Sequence, residues 1–233
     1  MEPYPAPCQV LRLGLVDYEA AWAEQRRLVE TCREDGIARL LLLEHPPTYT
    51  FGARGKAENL LLTEDSLRQL GASVVRVDRG GDVTFHGPGQ LVGYPILDLR
   101  RWHQGPLWYV RSLEAVLIEA LAHFGVAGER VAKRPGVWVD GAKIASIGVR
   151  VSRGITSHGF ALNVAPEMRW FSYMVPCGLP DVRMTSMAEL GATADLGEVM
   201  DAVIEAFARV FEIEIQDGER MVSPAEWTPV GAL

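Results

Sequence analysis

The chain has 233 residues, of which 48% are hydrophobic and 23% are charged. These fractions are typical of a soluble globular protein and exclude a disordered chain, a collagen-like repeat, a coiled coil and a membrane channel. The 23 Lys and Arg residues stand against 30 Asp and Glu residues, which gives a formal net charge of −7. Non-specific nucleic-acid binding needs a basic surface and is therefore disfavoured.

The cysteines and the amino terminus indicate the cellular compartment. Three cysteines, Cys8, Cys32 and Cys177, are too few, and odd in number, for a disulfide framework in a chain of this length. The amino terminus carries Glu2 and early prolines, and it lacks the basic start and apolar run of a signal peptide. The longest aliphatic run, 40–43, is far shorter than the roughly 20 residues that span a bilayer. We therefore expect a cytoplasmic protein that does not bind membranes.

Caps, turn residues and hydrophobic periodicity predict alternating strands and helices in the first half of the chain. Asp17 can cap the first helix and Gly36 can end it. The predicted elements are a strand over 10–16, a helix over 17–36, a buried strand over 38–43, a loop over 44–55, a short helix between Thr63 and Gly71, and strands over 73–78, 83–86 and 91–99.

In the second half, Asp140-Gly141 and Arg153-Gly154 predict two tight turns between strands. The order of elements predicts a mixed β-sheet covered by helices. The predicted elements are a helix between Pro106 and Gly125 with the apolar stripe Leu107, Val110, Leu117, Leu121 and Phe124, a strand over 155–164, an irregular connection over 165–183, a helix from Asp195 with a capping box to Glu198, and a strand over 211–215.

Cys177 lies in the sequence Val-Pro-Cys-Gly-Leu-Pro. The prolines stiffen the backbone, and Gly178 lets a ligand approach closely. This context favours an exposed, reactive thiol, and the alternative is a buried structural cysteine.

Lys143 lies in a predicted strand, on the same face as residues 145, 147 and 149. If that face is covered, its ammonium could hold a nearby cysteine as the thiolate. If the face is open, Lys143 is a solvated strand lysine.

Two histidines, His86 and His158, each adjoin a glycine at the end or start of a predicted strand. Lone histidines are more often hydrogen-bonded structural groups than catalysts, and no zinc-ligand spacing is present, so no metal is expected. Glycines are frequent over 79–89 and 154–163. They suit either close contact with a thin apolar ligand or ordinary turns.

Taken in order, the motifs EHPPTYTFG, RGGDVTFHGPGQLVGYPILDL, KIASIGVRV, HGFALNV and PCG resemble the lipoyl(octanoyl) transferases of lipoate biosynthesis. The similarity runs from Glu44 to Arg183. It implies an α/β fold with a mixed β-sheet covered by helices, as in the catalytic domain of biotin and lipoate protein ligases. It also implies one acyltransferase catalytic domain over residues 1–233.

The same resemblance implies a reaction and its partners. An octanoyl group passes from the thioester of acyl carrier protein to the ε-amine of a lysine on a lipoyl domain, the first step of endogenous protein lipoylation. The expected acceptors are the lipoyl domains of 2-oxoacid dehydrogenase E2 subunits and the H protein of glycine cleavage. Exchange of one thioester for another, followed by amide formation, needs neither ATP nor a cofactor, so none is expected.

The resemblance also assigns roles to residues. Cys177 matches the acyl-carrying nucleophile, and Lys143 matches the lysine that activates it. The residues that match the acyl-binding segments are Arg79, Gly80, Gly81, Asp82, Val83, Thr84, Phe85, His86, Ser146, Ile147, Gly148, Gly159, Phe160 and Ala161.

The charge of the chain is uneven along its length. Residues 129–153 contain six Lys and Arg residues against two acidic ones, a net charge of +4, which leaves −11 for the remainder. Both protein partners of this family are expected to be acidic. We therefore predict that this basic segment helps to dock acyl carrier protein.

Three other functions fit parts of the sequence. An ATP-dependent lipoate or biotin ligase would share the fold and would not need Cys177. A cysteine hydrolase would use Cys177 with His86 or His158 and release free octanoate. A non-catalytic module would bind acylated domains without chemical change at Cys177.

Overall fold

The structure is a computed structural model that describes residues 7–176 and 181–218. The strands are β1 (Cys8–Leu15), β2 (Ala38–Glu44), β3 (Thr48–Phe51), β4 (Ser73–Arg76), β5 (Val83–His86), β6 (Gln90–Ile96), β7 (Glu129–Val131), β8 (Arg134–Val139), β9 (Ala142–Ser152), β10 (Ile155–Asn163), β11 (Arg183–Met184) and β12 (Ile215–Asp217). The α-helices are α1 (Tyr18–Asp35), α2 (Glu64–Gln69), α3 (Pro106–His123) and α4 (Leu196–Phe211). Short 3-10 helices cover Ala57–Asn59, Leu99–Trp102 and Met168–Tyr173.

The described strands form two sheets. The large sheet has the order β12-β1-β2-β6-β10-β9-β8-β7, with β11 paired to β9. Its β12/β1, β1/β2 and β9/β11 pairs are parallel and its other pairs are antiparallel. The small sheet has the order β4-β3-β5. The predicted fold class, a mixed sheet covered by helices, is confirmed.

Helices cover both faces of the large sheet. On β2, Leu40 and Leu42 belong to the core formed with α3 and α4, whereas Leu41 and Leu43 belong to the core formed with α1. All four side chains are fully buried. This is why the strand reads as an unbroken aliphatic run, the pattern of a strand covered on both faces. No helix within the described ranges is both long enough and apolar enough to cross a membrane.

The predicted caps and turns are confirmed. The Asp17 side chain accepts hydrogen bonds from the backbone N–H groups of Glu19 and Ala20 at 2.9 and 3.1 Å, and the capping box of α4 joins Asp195 and Glu198. Both predicted two-residue turns, 140–141 and 153–154, adopt positive φ at both positions, as turns between antiparallel strands require.

Two predicted elements, and one residue of a predicted apolar stripe, were wrong. The predicted loop over 44–55 contains β3, whose four residues are buried because the strand lies between β4 and β5. The last strand is Ile215–Asp217 and not 211–215, because Phe211 ends α4. On α3, Leu107 is 74% exposed. The buried face of α3 is instead broad and includes Tyr109, Leu113 and Val116, because the helix packs against both the sheet and α4.

Candidate active site

A groove opens where the small sheet meets β9 and β10 of the large sheet. Its inner part, which we call the inner pocket, has a volume of about 50 Å³. Its outer part, the outer groove, has a volume of about 560 Å³. Residues that line both parts are Gly80, Gly81, Asp82, Lys143, Ile147 and Gly148. The two parts of the groove are therefore adjacent, and Lys143 lies at their boundary.

The residues with a predicted acyl-binding role come together around the inner pocket. Every one of them lines it except Phe85. The Phe85 ring instead packs in the core of the small sheet, stacked on Trp170 at 5.5 Å between ring centroids. It lies on the opposite side of β5 from Thr84 and His86, as strand alternation requires.

Strand pairing explains this convergence. On β9 and β10, Gly148 lies opposite Gly159, and the next two residue pairs continue the register. The backbone N–H of Gly80 donates a 2.9 Å hydrogen bond to the carbonyl of Val149, which fixes the segment before β5 against β9. A methyl group at Gly148 would lie 2.9 Å from the Gly80 oxygen, and one at Gly159 would lie 2.1 Å from the Gly93 oxygen. These two glycines are therefore needed for close approach of backbone to backbone.

Lys143 is buried, with 3% of its surface exposed. It lies opposite Trp138 on β8, and its ammonium is 5.4 Å from the centre of the Trp138 ring. Both faces of β9 are covered here, since residues 142–145 are all buried. Of the two sequence-based alternatives, the solvated strand lysine is thus wrong.

Arg79 supports one wall of the inner pocket. Its guanidinium donates hydrogen bonds to the carbonyl of Thr50 at 2.6 Å and to the Thr50 hydroxyl at 2.8 Å. It also donates to the carbonyl of Gly80 at 3.0 Å. Arg79 therefore fixes the backbone of the glycine-rich segment to β3.

The histidines near the inner pocket are buried and uncharged. Burial lowers the pKa of His45 to about 4 and the pKa of His86 well below its usual value. Burial, with the guanidiniums of Arg79 and Arg150, lowers the pKa of His158 to about 3, although its Nε2 lies 2.8 Å from the Asp78 carboxylate. At neutral pH these rings are hydrogen-bonding groups without charge.

His86 and His158 have different partners. The Nδ1 atom of His86 lies 2.9 Å from the side-chain oxygen of Gln90, whereas His158 faces Asp78, which also pairs with Arg150. Both rings line the inner pocket. In the part of the chain that the structure describes, no group of three His, Cys, Asp or Glu residues is arranged to hold a metal ion.

Cys177 lies outside the described residues, as does Gly178. Described residues before and after this segment are hydrogen-bonded to residues that line the outer groove. The backbone N–H of Val175 donates to the carbonyl of Asn59 at 2.8 Å. On the other side, Met184 pairs with Lys143, and the N–H of Thr185 donates to the Lys143 carbonyl at 3.0 Å.

Sequence reasoning missed two residues of the inner pocket, Tyr18 and Tyr94. Tyr18 falls in the predicted helix over 17–36 and Tyr94 in the predicted strand over 91–99, and neither residue is given a role by the sequence. The Tyr94 hydroxyl lies 2.7 Å from Nε2 of His45, whose Nδ1 lies 2.7 Å from the Val16 carbonyl. A tyrosine among the apolar residues of a strand is the signal that could have indicated a polar partner.

Comparison with known proteins agrees with this geometry. The family model of the lipoyl protein ligase A/B catalytic domain matches residues 17–208. An octanoyltransferase of Solibacter usitatus is 48% identical over 218 residues, covering 93% of this chain and 98% of its own.

Solved structures share the fold at low identity. Lipoate-protein ligase A bound with ATP is 16% identical, with a TM-score of 0.78 over 94% of this chain and 91% of its own. A bi-partite lipoate protein ligase of Thermoplasma acidophilum, studied with its E2 lipoyl domain, is 15% identical, with a TM-score of 0.73 over 95% and 90%. The chain therefore belongs to the lipoyl protein ligase A/B catalytic domain family and, within it, to the octanoyltransferases, the acyltransferases that transfer octanoyl groups in lipoylation.

Proposed function

We propose that this octanoyltransferase takes the octanoyl group from octanoyl-acyl carrier protein onto Cys177 and then delivers it to the ε-amine of a lysine on a lipoyl domain. One observation carries the proposal. Lys143 is buried at the point where the inner pocket meets the outer groove. Val175 and Thr185, which precede and follow Cys177 in the chain, are hydrogen-bonded to the backbone of Asn59 and of Lys143. We propose further that residues 1–233 form one catalytic domain.

The first step is an exchange of thioesters. The Cys177 thiolate attacks the octanoyl carbonyl, a new carbon–sulfur bond forms, and the bond to the carrier sulfur breaks. The carrier thiolate leaves and takes up the proton of the Lys143 ammonium, which becomes a neutral amine. The Lys143 ammonium, if close to the thiol, favours the thiolate by its charge. The exchange costs little free energy because one thioester replaces another.

In the second step, the lysine amine of the acceptor attacks the new thioester. An amide forms, the bond to Cys177 breaks, and the amine gives up a proton. Lys143 in its neutral form can accept that proton as a general base. Because the amide is more stable than the thioester, the sequence of steps needs neither ATP nor a cofactor. A thiol nucleophile has to stay reduced, and so we propose the cytoplasm as the compartment.

The acyl chain is proposed to extend from the outer groove into the inner pocket, because the inner pocket alone, at about 50 Å³, is too small for an octanoyl chain. The far end of the chain then lies in the inner pocket. Its walls include Val83, Ile147, Phe160 and Ala161. Burying an octanoyl chain contributes roughly 5 kcal/mol at about 0.8 kcal/mol per methylene. This is enough to favour a chain length and too little to reject a neighbouring length strongly.

The outer groove is proposed to receive the two protein partners, octanoyl-acyl carrier protein and the lipoyl domains of E2 subunits and of H protein. The archaeal ligase studied with its E2 lipoyl domain supports the second partner. The lining of the groove contains five cationic side chains against two acidic ones, Glu58 and Asp82; the cationic ones are Lys143 and, nearer the rim, Arg54, Lys56, Lys133 and Arg134. An electropositive rim of this kind favours acidic partners.

Part of the charge of the predicted docking segment, 129–153, has partners within the protein or is buried. Within it, Arg130 pairs with Glu114, Arg150 pairs with Asp78, and Lys143 is buried. The charges of this segment at the outer groove are those of Lys133 and Arg134, and Arg134 pairs with Asp181 at 3.2 Å. We therefore propose Lys133, and not the whole segment, as the main contact of this segment with acyl carrier protein.

An intact-mass experiment tests the proposed function. The protein is incubated with octanoyl-acyl carrier protein without ATP, and its mass is measured before and after addition of the apo lipoyl domain. We expect one octanoyl group on the wild type, its movement to the lipoyl domain, and no adduct on Cys177→Ala. We also expect Lys143→Met to slow adduct formation about 10²- to 10⁴-fold, the range of acid–base catalysis, whereas Lys133→Met acylates at nearly the wild-type rate when donor is saturating.

Other results would support the competing functions. Free octanoate as the main product, with lipoyl domain present, would indicate a hydrolase that uses His86 or His158. Transfer only with ATP, undiminished in Cys177→Ala, would indicate a ligase. Absence of any mass change at Cys177 and of any product would indicate a binding module.

A further inference from the structure

Helix α3 buries a carboxylate beneath β8. Glu114 is 1% exposed. Carboxylates are almost never buried to this extent unless their charge is compensated. Its position thus requires specific partners.

The two carboxylate oxygens of Glu114 have different partners. Oε2 accepts hydrogen bonds from Arg111 at 2.9 Å and from Arg130 at 3.1 Å, and these arginine side chains are 47% and 41% exposed. Oε1 accepts a 3.1 Å hydrogen bond from the backbone N–H of Gly136, in the buried interior. The carboxylate therefore ties α3 to the backbone of β8 at Gly136.

Gly136 lies against the Lys143 side chain. Its φ is +122°, and a methyl group there would lie 2.4 Å from the carbonyl oxygen of Ala145, 2.6 Å from Cε of Lys143 and 3.3 Å from Nζ. A register shift between β8 and β9 occurs at the next residues, Val137 and Trp138. The β8 backbone at Gly136 is thus one wall of the space that holds the lysine, and the Trp138 ring is another.

We propose that Glu114 is a positioning residue for octanoyl transfer. By holding the Gly136 N–H, it fixes the β8 backbone and so sets where the Lys143 ammonium lies relative to the inner pocket. This inference rests on the proposed function, in which Lys143 activates Cys177. Glu114 acts through Gly136 and does not contact the acyl group.

Two substitutions separate positioning from stability. Glu114→Gln keeps an oxygen acceptor for the Gly136 N–H and removes the negative charge that Arg111 and Arg130 contact. Glu114→Met removes both. We expect both variants to have a lower melting temperature than the wild type, because both lose a charge pair. Only Glu114→Met should lose more octanoyl-transfer activity than its lower melting temperature explains.

The readout is the single-turnover acylation rate with octanoyl-acyl carrier protein as donor. For Glu114→Met we expect the maximal rate to fall about 10- to 100-fold, the loss expected when a reacting group is misplaced by roughly 1 Å. Its KM should stay within about 2-fold, because uniform binding is unchanged. Glu114→Gln should keep a rate within about 3-fold of wild type. The matched controls are Glu119→Gln and Glu119→Met on the same helix, where the side chain pairs with Arg209.

Gly136→Ala tests the same inference without touching Glu114. The added methyl group meets both the Ala145 carbonyl oxygen and the Lys143 stem, at a φ that strains any side chain. The rate should therefore fall about as far as in Glu114→Met, and by more than the change in melting temperature explains. The double variant should lose less than the product of the two single losses, because both act on one contact. Gly105→Ala is the control, since nothing lies within 4 Å of the added methyl group.

A third readout follows the Cys177 thiol. The rate of alkylation by iodoacetamide rises with pH as the thiol ionises, and we measure the pH at the midpoint of this rise. The midpoint should be lower in the wild type than in Glu114→Met or Gly136→Ala, because displacement of the ammonium in these variants favours the protonated thiol. The other two thiols interfere little, since burial raises the pKa of Cys8 to about 12 and of Cys32 to about 11.

The outcomes are distinct. The positioning role is overturned if Glu114→Gln and Glu114→Met lose the same fraction of the acylation rate and this loss follows the change in melting temperature. It is also overturned if Gly136→Ala is acylated at the same rate as Gly105→Ala. If Glu114→Met does not fold, Gly136→Ala and the alkylation midpoint decide. If Lys143→Met transfers octanoyl at the wild-type rate, the activating role of Lys143 has failed, and with it the positioning role of Glu114. If the wild type forms no octanoyl adduct, the proposed function itself has failed, whatever the Glu114 variants do.

Discussion

The inner pocket and the outer groove meet at Lys143 and differ in almost every physical property. The inner pocket is narrow and holds neutral polar groups, such as His86 and Tyr94, in fixed hydrogen bonds or ring contacts. The outer groove is about ten times larger and is lined at its rim by exposed cations such as Arg54 and Lys133. This difference indicates a division of labour, in which the inner pocket selects the acyl chain and the outer groove selects proteins.

The division has a physical basis. An apolar chain gains most from a small pocket whose charged groups already have partners in the protein, as Arg79 has in Thr50 and Gly80, because its binding then desolvates no unpaired ion. Acidic proteins are attracted over longer distances by charges that remain in water. In each of the following three predictions, a substitution changes either the inner side or the outer groove and leaves the other unchanged.

The largest effect is expected from the neutral histidines on the inner side. Burial lowers the pKa of His45 from 6.5 to about 4. The unfolded chain therefore binds a proton below pH 6.5 that the folded chain binds only near pH 4. The free energy of unfolding therefore decreases as the pH falls from 6.5 toward 4. The decrease between pH 7 and pH 4.5 is about 2 kcal/mol.

Urea denaturation at these two pH values measures this loss. In His45→Gln, whose amide can still bond the Val16 carbonyl and the Tyr94 hydroxyl, the pH dependence should be smaller by about 2 kcal/mol. The exposed His123→Gln is the matched control and should retain the wild-type dependence. If His45→Gln also retains it, the inner side is not held neutral by burial.

A smaller effect is expected from filling the inner pocket. Ser146 lines it near Ala161, its partner on β10. Ser146→Leu adds apolar atoms to a pocket of about 50 Å³. The ratio of kcat/KM for octanoyl over hexanoyl donors should fall about 10-fold, the value of one or two methylenes.

The control for this experiment is Ser152→Leu, at the far end of the same strand and outside the pocket lining. It should leave the chain-length ratio unchanged. An equal fall in both kcat/KM values in Ser146→Leu would mean that the inner pocket does not measure chain length.

Local signals in the sequence predicted the elements, and distant contacts escaped prediction. Asp17, the Asp195–Glu198 pair and Asp140-Gly141 each act through neighbouring backbone groups, so short-range patterns find them. The β3 strand was missed because Pro46-Pro47 looks like a loop signal, while its burial depends on β4 and β5.

The candidate site shows the same limit. The acyl-binding segments were identified by resemblance, and the structure brings nearly all of them to one pocket. Glu114 was not identified, because its bond to Gly136 spans 22 positions and joins a helix to a strand. A glutamate on a helix predicts a solvated face unless the partner beneath it is known.

The smallest effect is expected at the outer groove. Lys133 is exposed on the turn between β7 and β8. Lys133→Glu should raise the KM for octanoyl-acyl carrier protein about 3- to 10-fold and weaken its dependence on salt, because a rim charge acts mainly on encounter. The rate with a small octanoyl thioester, which has no acidic surface, should not change.

The control is Arg153→Glu, which reverses a charge of the same basic segment away from the outer groove. It should change neither the KM for octanoyl-acyl carrier protein nor the rate with the small thioester. Equal effects of the two reversals would mean that the segment attracts the carrier by its total charge, and the separation between a selective inner pocket and a protein-binding outer groove would then be less sharp than the geometry indicates.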